Sequence, residues 1–270
     1  MQLIANELLN QCRWPELPPR YAAALREAVI YIVNRYDPVG IVACGTIIRG
    51  APDEASDLDL YVIHGAPWRQ RVQKFFGGVP AEMFVNPPVA IRRYFREQHA
   101  AGRPLTAHML ATGWIVLSRD GIIETLCREA AEWLDKPVDY PASRAVMDRY
   151  YVATLYEDAR DVAGKDPATA GMLLQEAVTM MLRHWFLRNG MFVPRGKELI
   201  ARLTALDEQL GRAAAEFFQA PSEARWAAAQ FIADRTIDAR GFLNGRRNRK
   251  MSQRVRARGR AGEYAHPKFS

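Results

Sequence analysis

Two aspartates in an apolar stretch are the residues of this sequence whose chemistry most needs an explanation. Asp57 and Asp59 alternate with leucines in DLDLYVI, residues 57–63, and strict alternation predicts a strand. Residues two apart in a strand share a face, so the two carboxylates project together, about 6–7 Å apart at the backbone. Burial of both charges requires a counter-charge. Mg²⁺, which binds one or two carboxylates and adds water and phosphate oxygens, would supply it. The simpler alternative is a capped loop followed by an edge strand.

A glycine-threonine pair precedes the aspartates. Gly45 closes the apolar run 39–45, which predicts a buried strand, and Thr46 follows it directly. If a helix follows, its free N–H groups would suit a phosphate, and the Thr46 hydroxyl would cap the helix or touch that phosphate. Arg49 lies three residues on, on the same helix face, and Gly50 ends the helix.

A third acid stands in the apolar run AEMFVN, residues 81–86. Glu82 is predicted to lie on a strand that could run beside 57–63. A single glutamate in a strand is commonly an edge residue, and an isolated Gly-Thr pair is commonly part of an ordinary loop. The combination of all these features is what favours a site.

Together these residues resemble a known motif. The pattern G-[ST]-x-x-R-G, a gap, S-D-x-D and then an acid between hydrophobic residues is similar to that of the nucleotidyltransferase superfamily, which includes DNA polymerase β and kanamycin nucleotidyltransferase. The match covers about residues 38–90. Segments 84–121 and 183–203 also resemble bacterial aminoglycoside nucleotidyltransferases. Thr46 stands where the family more often has serine and keeps the hydroxyl.

The resemblance implies an activity and a role for each residue. The expected reaction is transfer of a nucleoside monophosphate, AMP from ATP or the equivalent from another NTP, to a hydroxyl of a small aminoglycoside-like acceptor, with release of pyrophosphate (EC 2.7.7 type). Asp57 and Asp59 would hold one or two Mg²⁺ ions, and Glu82 would be a third metal ligand or a general base. The expected nucleotide-binding residues are Gly45, Thr46, Arg49, Ser56 and Lys197.

Residues of the second half are candidates for the acceptor site. Glu176, Thr179 and Arg183 form a polar stripe on an otherwise apolar helix, and His108 could also face a cleft between domains. The alternatives are a solvated stripe of a bundle helix and a packed or surface histidine. For Lys197, the alternative to a triphosphate contact is an exposed surface lysine.

The order of predicted elements gives an α+β fold class. Helices are predicted at 18–36, 88–100 and 122–134, and strands at 39–45, 57–63, 81–86 and 114–121. After a linker at 135–141 only helices are predicted, with 170–190 as the central one. The expected domains are a nucleotidyltransferase catalytic domain with a mixed sheet flanked by helices (1–137), a helical substrate-binding bundle (138–244) and a disordered basic tail (245–270).

Charge and cysteine content limit the classes of partner. Nine of the 37 basic residues and one of the 30 acidic residues lie in 245–270, so residues 1–244 hold 28 basic and 29 acidic residues. The net charge of +7 therefore resides in the tail, which could bind nucleic acid but is more typical of disorder. Three unpaired cysteines and no long apolar run favour a cytoplasmic protein without membrane contact.

Two alternative functions remain. One is nucleotidylation of a protein or RNA, and the other is that of a non-catalytic nucleotide-binding or antitoxin-like partner.

Overall fold

The chain folds into a sheet flanked by helices, followed by a bundle of helices. The computed structural model describes residues 2–50 and 52–239, so the predicted basic tail lies outside the described residues. The helices are α1 (Gln2–Gln11), α2 (Pro19–Tyr36), α3 (Gly45–Ile48), α4 (Pro88–Ala100), α5 (Leu105–Ala111), α6 (Ile122–Asp135), α7 (Ala142–Val162), α8 (Pro167–Arg188), α9 (Leu199–Leu206), α10 (Glu208–Gln219) and α11 (Ser222–Thr236), with a 3₁₀ turn at Gly196–Glu198. The strands are β1 (Gly40–Cys44), β2 (Leu58–Ile63), β3 (Gln70–Phe76), β4 (Val79–Asn86) and β5 (Trp114–Ser118).

The five strands form one mixed sheet in the order β3-β4-β2-β1-β5. Strand β2 runs antiparallel to β1 and parallel to β4, while β3 and β5 are antiparallel edge strands. A two-residue turn joins β3 to β4, and both of its glycines have positive φ (52° at Gly77 and 76° at Gly78), as a tight hairpin requires. This architecture confirms the predicted α+β class with a mixed sheet flanked by helices.

The central strands β1 and β2 are buried on both faces, which explains their nearly continuous apolar character. Residues such as Leu60 and Met83 pack with α1 and α2 on one face. Alternate residues such as Tyr61 and Ile63 pack with α4, α5 and α6 on the other. Because side chains alternate along a strand, Asp59 and Glu82 belong to the second face.

A separate core holds the C-terminal helices together. Helix α8 is central to it, with buried residues on most of its length, and α7, α10 and α11 contribute further buried side chains. The N-terminus of α8 is capped by Asp166, whose carboxylate accepts a hydrogen bond from the Thr169 N–H at 3.1 Å. The predicted central helix at 170–190 is thus confirmed. The predicted domain boundary near residue 138, which falls between α6 and α7, stays a prediction.

Some elements were not predicted. Strand β3 is one, because six of its seven residues are exposed or half-buried and only Phe76 is buried, which leaves little alternation to detect. Helices α1 and α5 were also missed. Among the described helices, none combines the length and the apolar character that a membrane crossing needs.

Candidate active site

Gly45 and Asp59 are in close contact where β1 ends. Cys44 pairs with Asp59 across β1 and β2, and the next residue, Gly45, begins α3. Gly45 has φ of 86°, and a Cβ atom at this position would lie 2.6 Å from the Asp59 Oδ2 atom. Glycine is therefore required twice, once by its backbone conformation and once by the neighbouring carboxylate.

The Asp59 carboxylate is held in an unfavourable environment for a negative charge. Burial, together with the negative charges of Asp57 and Glu82, raises the pKa of Asp59 from 3.8 to about 6. Arg195 and Arg49 act in the opposite direction. The excess of negative charge at this point is what a bound cation would relieve.

Asp57 lies one residue before β2 and is exposed. In the part of the chain that the structure describes, no three His, Cys, Asp or Glu side chains are grouped closely enough to hold a metal ion. Proteins nevertheless commonly supply only one or two carboxylates to Mg²⁺, and water and phosphate oxygens are the remaining ligands. The donor set of Asp57 and Asp59 fits Mg²⁺ in this sense.

Glu82 lies beside Asp59, since the two residues are register partners in the parallel pair β2 and β4. Its carboxylate, however, is bound by β3. Arg71 donates from Nε to Oε1 and from Nη2 to Oε2 (2.8 Å), and Gln73 Nε2 donates to Oε1 at 2.9 Å. The hydrogen bonds from Arg71 lower the pKa of Glu82. An acid so stabilised in its ionised form is a weak general base.

Two other predicted nucleotide-binding residues of the motif lie in α3 and in the loop before β2. Thr46 is the second residue of α3, half-buried, and its side chain does not cap the helix. Ser56 is buried in the loop before β2, where its hydroxyl accepts the Asp53 N–H at 2.9 Å and donates to Asp53 Oδ1 at 2.7 Å. Ser56 therefore shapes the loop that presents Asp57.

A cleft of about 730 Å³, here called the Asp59 cleft, opens in front of the carboxylate. Its polar wall contains Gly45, Arg49, Asp59, His108, Arg195 and Glu198. Its apolar wall contains Leu105, Met109, Leu134, Phe192, Val193 and Pro194. The helical half of the chain thus contributes one side of the cleft.

Arg195 is a cleft residue that the sequence interpretation missed. It pairs with Glu198 in the cleft wall. This hydrogen bond is the main cause that raises the pKa of Arg195, and the charges of Asp59 and Asp57 add to it. Lys197, the basic residue predicted from the same segment, is exposed and does not line the cleft. The segment VPRGKEL contains both Arg195 and Lys197. Its sequence does not show which of the two side chains faces the cleft.

The predicted acceptor residues divide between two places. His108 lines the Asp59 cleft, where its pKa is lowered by partial burial and by the charges of Arg49 and Arg195. Glu176, Thr179 and Arg183 instead line a second cavity of about 730 Å³ with residues of α7, here called the α7–α8 cavity. Val193 borders both cavities, so the two lie on either side of the segment that carries it.

The chain was compared with family models, curated proteins and solved structures. The sequence matches no protein-family model and no curated protein. Among solved structures, the chain is similar to the crystal structure of a nucleotidyltransferase-like protein from Exiguobacterium sibiricum 255-15. The two share 12% sequence identity, with a TM-score of 0.46, and the match covers 80% of this chain and 73% of that one.

Proposed function

We propose that this protein is a nucleotidyltransferase, which transfers a nucleoside monophosphate, AMP from ATP in the first instance, to a hydroxyl of a small-molecule acceptor. The observation on which this depends is the contact between Gly45 and the Asp59 carboxylate at the mouth of a cleft. At this contact the turn at Gly45, whose backbone can approach phosphates closely, lies beside Asp59. The pKa of Asp59 is raised by burial and by two neighbouring acids. That pairing is what the motif resemblance leads one to expect.

The residues of the polar wall would bind and orient the triphosphate. The backbone N–H groups of the turn at Gly45 and Thr46 would donate to phosphate oxygens. Arg49 and Arg195 would balance the phosphate charge from the cleft wall, one from each half of the chain. Phosphoryl transfer depends mainly on such positioning and charge balance.

Asp57 and Asp59 are the residues that would hold Mg²⁺. When bound, the ion supplies charge neutralisation at the phosphates and acidifies the attacking hydroxyl. Glu82 would complete the acidic set as a fixed anion beside Asp59, a role that its lowered pKa favours over that of general base. His108, whose pKa is lowered and which lines the same cleft, is available as a neutral hydrogen-bonding group.

Turnover of nucleotide tests the proposal. Purified protein is incubated with Mg²⁺, each of the four NTPs and a panel of aminoglycosides, and pyrophosphate release is followed. We expect release that depends on one acceptor and disappears when Mg²⁺ is removed with EDTA. The matched control is the double variant Asp57→Asn, Asp59→Asn, which keeps the size of both side chains and removes their charge.

The outcomes separate three conclusions. Acceptor-dependent release that the double variant lacks would establish the transferase. Mg²⁺-dependent ATP binding without release, lost in the double variant, would support the site and show that the panel lacks the acceptor. Absence of any Mg²⁺-dependent nucleotide binding would contradict the proposal.

A further inference from the structure

The side chains of Arg71 and Gln73, here called the β3 clamp, hold Glu82 from the edge strand of the sheet. Arg71 contacts both carboxylate oxygens of Glu82 through Nε and Nη2, and Gln73 contacts one of them through Nε2. The acid therefore accepts three hydrogen bonds from β3. Planar, two-point contact between a guanidinium and a carboxylate fixes orientation as well as distance.

The clamp is built into the register of the hairpin. Gln73 lies directly opposite Glu82, and Arg71 lies opposite Phe84, two residues further along β4. The Arg71 guanidinium lies over the Phe84 ring, 5.2 Å from its centroid. Phe84 in turn stacks on the buried Tyr61 with 5.7 Å between ring centroids. The arginine is thus supported by the sheet face as well as by the acid.

The position of Glu82 explains why it needs such support. Glu82 and Asp59 are register partners on neighbouring strands, which lie about 4.8 Å apart, and like charges directly opposite each other are destabilising. Without the clamp, repulsion from Asp59 and the rotational freedom of a glutamate side chain would turn the carboxylate away.

We propose that Arg71 and Gln73 are positioning residues, which hold the Glu82 carboxylate in a single orientation beside Asp59. The proposal rests on the proposed function, since it assigns Glu82 to the acidic set that surrounds the metal ion. It does not concern the stability of the fold. The Arg71 side chain is 65% exposed and that of Glu82 is 12% exposed, so solvent screens the pair from the arginine side and reduces what it contributes to stability.

Four single variants test the clamp. They are Arg71→Ala, Arg71→Lys, Gln73→Ala and the control Arg69→Ala. Arg69 is also an exposed arginine near this edge, but its guanidinium donates to the Tyr94 hydroxyl at 2.6 Å. Steady-state kinetics give kcat and KM for the NTP, and titration calorimetry gives the affinity for Mn²⁺ in the absence of nucleotide. Circular dichroism and Tm establish that each variant is folded.

We expect Arg71→Ala to lower kcat, to weaken Mn²⁺ binding, or both, by about 10- to 100-fold, the range typical of groups that support a metal site without binding the metal. The KM for the NTP should change little, because Arg71 does not line the Asp59 cleft. Arg71→Lys should restore part of the loss, since lysine keeps the charge without the two-point contact. Gln73→Ala should have a smaller effect, and Arg69→Ala none.

Equal behaviour of Arg71→Ala and Arg69→Ala in both measurements would overturn the inference. So would a rise in kcat for Arg71→Ala, which would mean that the clamp inhibits the site. If wild-type protein releases no pyrophosphate with any acceptor, Mn²⁺ affinity alone decides whether the clamp acts, and the proposed function fails only if Mg²⁺-dependent nucleotide binding is absent as well. Weaker binding in Arg71→Ala than in Arg69→Ala would then support the clamp. No Mn²⁺ binding by the wild type would reject the clamp.

Discussion

At the residue scale, the site depends on how closely the backbone approaches a single carboxylate. Asp59 is half-buried between Gly45 and its acidic neighbours. A side chain on residue 45 would occupy the space that the carboxylate now fills. The conformation of Gly45 and the charge state of Asp59 are therefore linked, because any displacement of the carboxylate also changes its distance from Asp57 and Glu82.

Substitution of Gly45 should affect both stability and turnover. In Gly45→Ala, the new Cβ atom would lie 2.6 Å from Asp59 Oδ2 at a φ of 86°, so the turn and the carboxylate must separate. We expect loss of most nucleotide turnover and a decrease in the free energy of unfolding that exceeds about 1–2 kcal/mol, the cost of the backbone conformation alone. Chemical denaturation and pyrophosphate release measure the two effects.

Gly121→Ala is the matched control for that substitution. Gly121 has φ of 72°, but nothing lies within 4 Å of the point that a Cβ atom would occupy there. This variant should lose about 1–2 kcal/mol of stability and keep full turnover. Equal turnover in the two variants would argue against a functional role for the contact between Gly45 and Asp59.

At the element scale, periodicity identified the buried strands and not the exposed one. β1, β2 and β4 are apolar on one or both faces and were predicted within one or two residues, and so were α2, α4 and α6. β3 was missed because Arg71, Gln73 and Lys74 make it read as a polar loop. Arg71 and Gln73 form the β3 clamp on Glu82. The strand with the least alternation of polar and apolar residues therefore makes a specific contact in the structure.

The contact between α9 and α10 depends on a glycine. A Cβ atom at Gly211 would lie 2.4 Å from Thr204 Cα and 2.6 Å from Thr204 N, so the two helices could not keep their present separation. We expect Gly211→Ala to destabilise the protein by about 1–3 kcal/mol, measured as the free energy of unfolding in urea.

Gly171, in α8, is the comparison for that prediction. Nothing lies within 4 Å of a Cβ atom added there, so Gly171→Ala should stabilise the protein by about 0.5–1 kcal/mol through helix propensity. Destabilisation of the same size at both positions would show that the close approach of α9 and α10 is not what the glycine provides.

At the scale of the whole molecule, the cleft is made by two parts of the chain. Its carboxylate comes from the sheet, and Phe192, Val193 and Arg195 come from the segment after α8. Val193 N–H donates to the Gly102 carbonyl at 2.9 Å, which ties this segment to the turn after α4. The far wall of the cleft is thus anchored on the half of the chain that holds the acids.

Substitution of Arg195 and of Lys197 tests how much that wall contributes to nucleotide binding. We expect Arg195→Ala to raise the KM for the NTP about tenfold or more, since a hydrogen bond to a charged group is worth about 1.5–3 kcal/mol. Lys197→Ala should have a small effect because Lys197 is exposed and outside the cleft lining. The measurement is initial rate against NTP concentration. The reverse ranking would restore Lys197 as the phosphate-binding residue.

The sequence predicted the parts of the site that lie close together along the chain. Gly45, Arg49, Asp57 and Asp59 fall within fifteen residues, and their types and spacing suffice to suggest a site. Arg195 and Arg71 act on Asp59 and Glu82 only through the tertiary fold. Nothing local distinguishes Arg195 from Lys197, or Arg71 from Arg69, so those assignments needed the structure.

The register between β2 and β4 has a consequence for how such a protein can diverge. Asp59 faces Glu82, while the residues on either side of each acid point into the opposite core. A one-residue insertion or deletion within either strand would exchange the faces, burying the acids among α1 and α2 and turning the residues of that core toward α4, α5 and α6. Changes in length are therefore compatible with this site only outside the paired segments, as in the loop of residues 64–69.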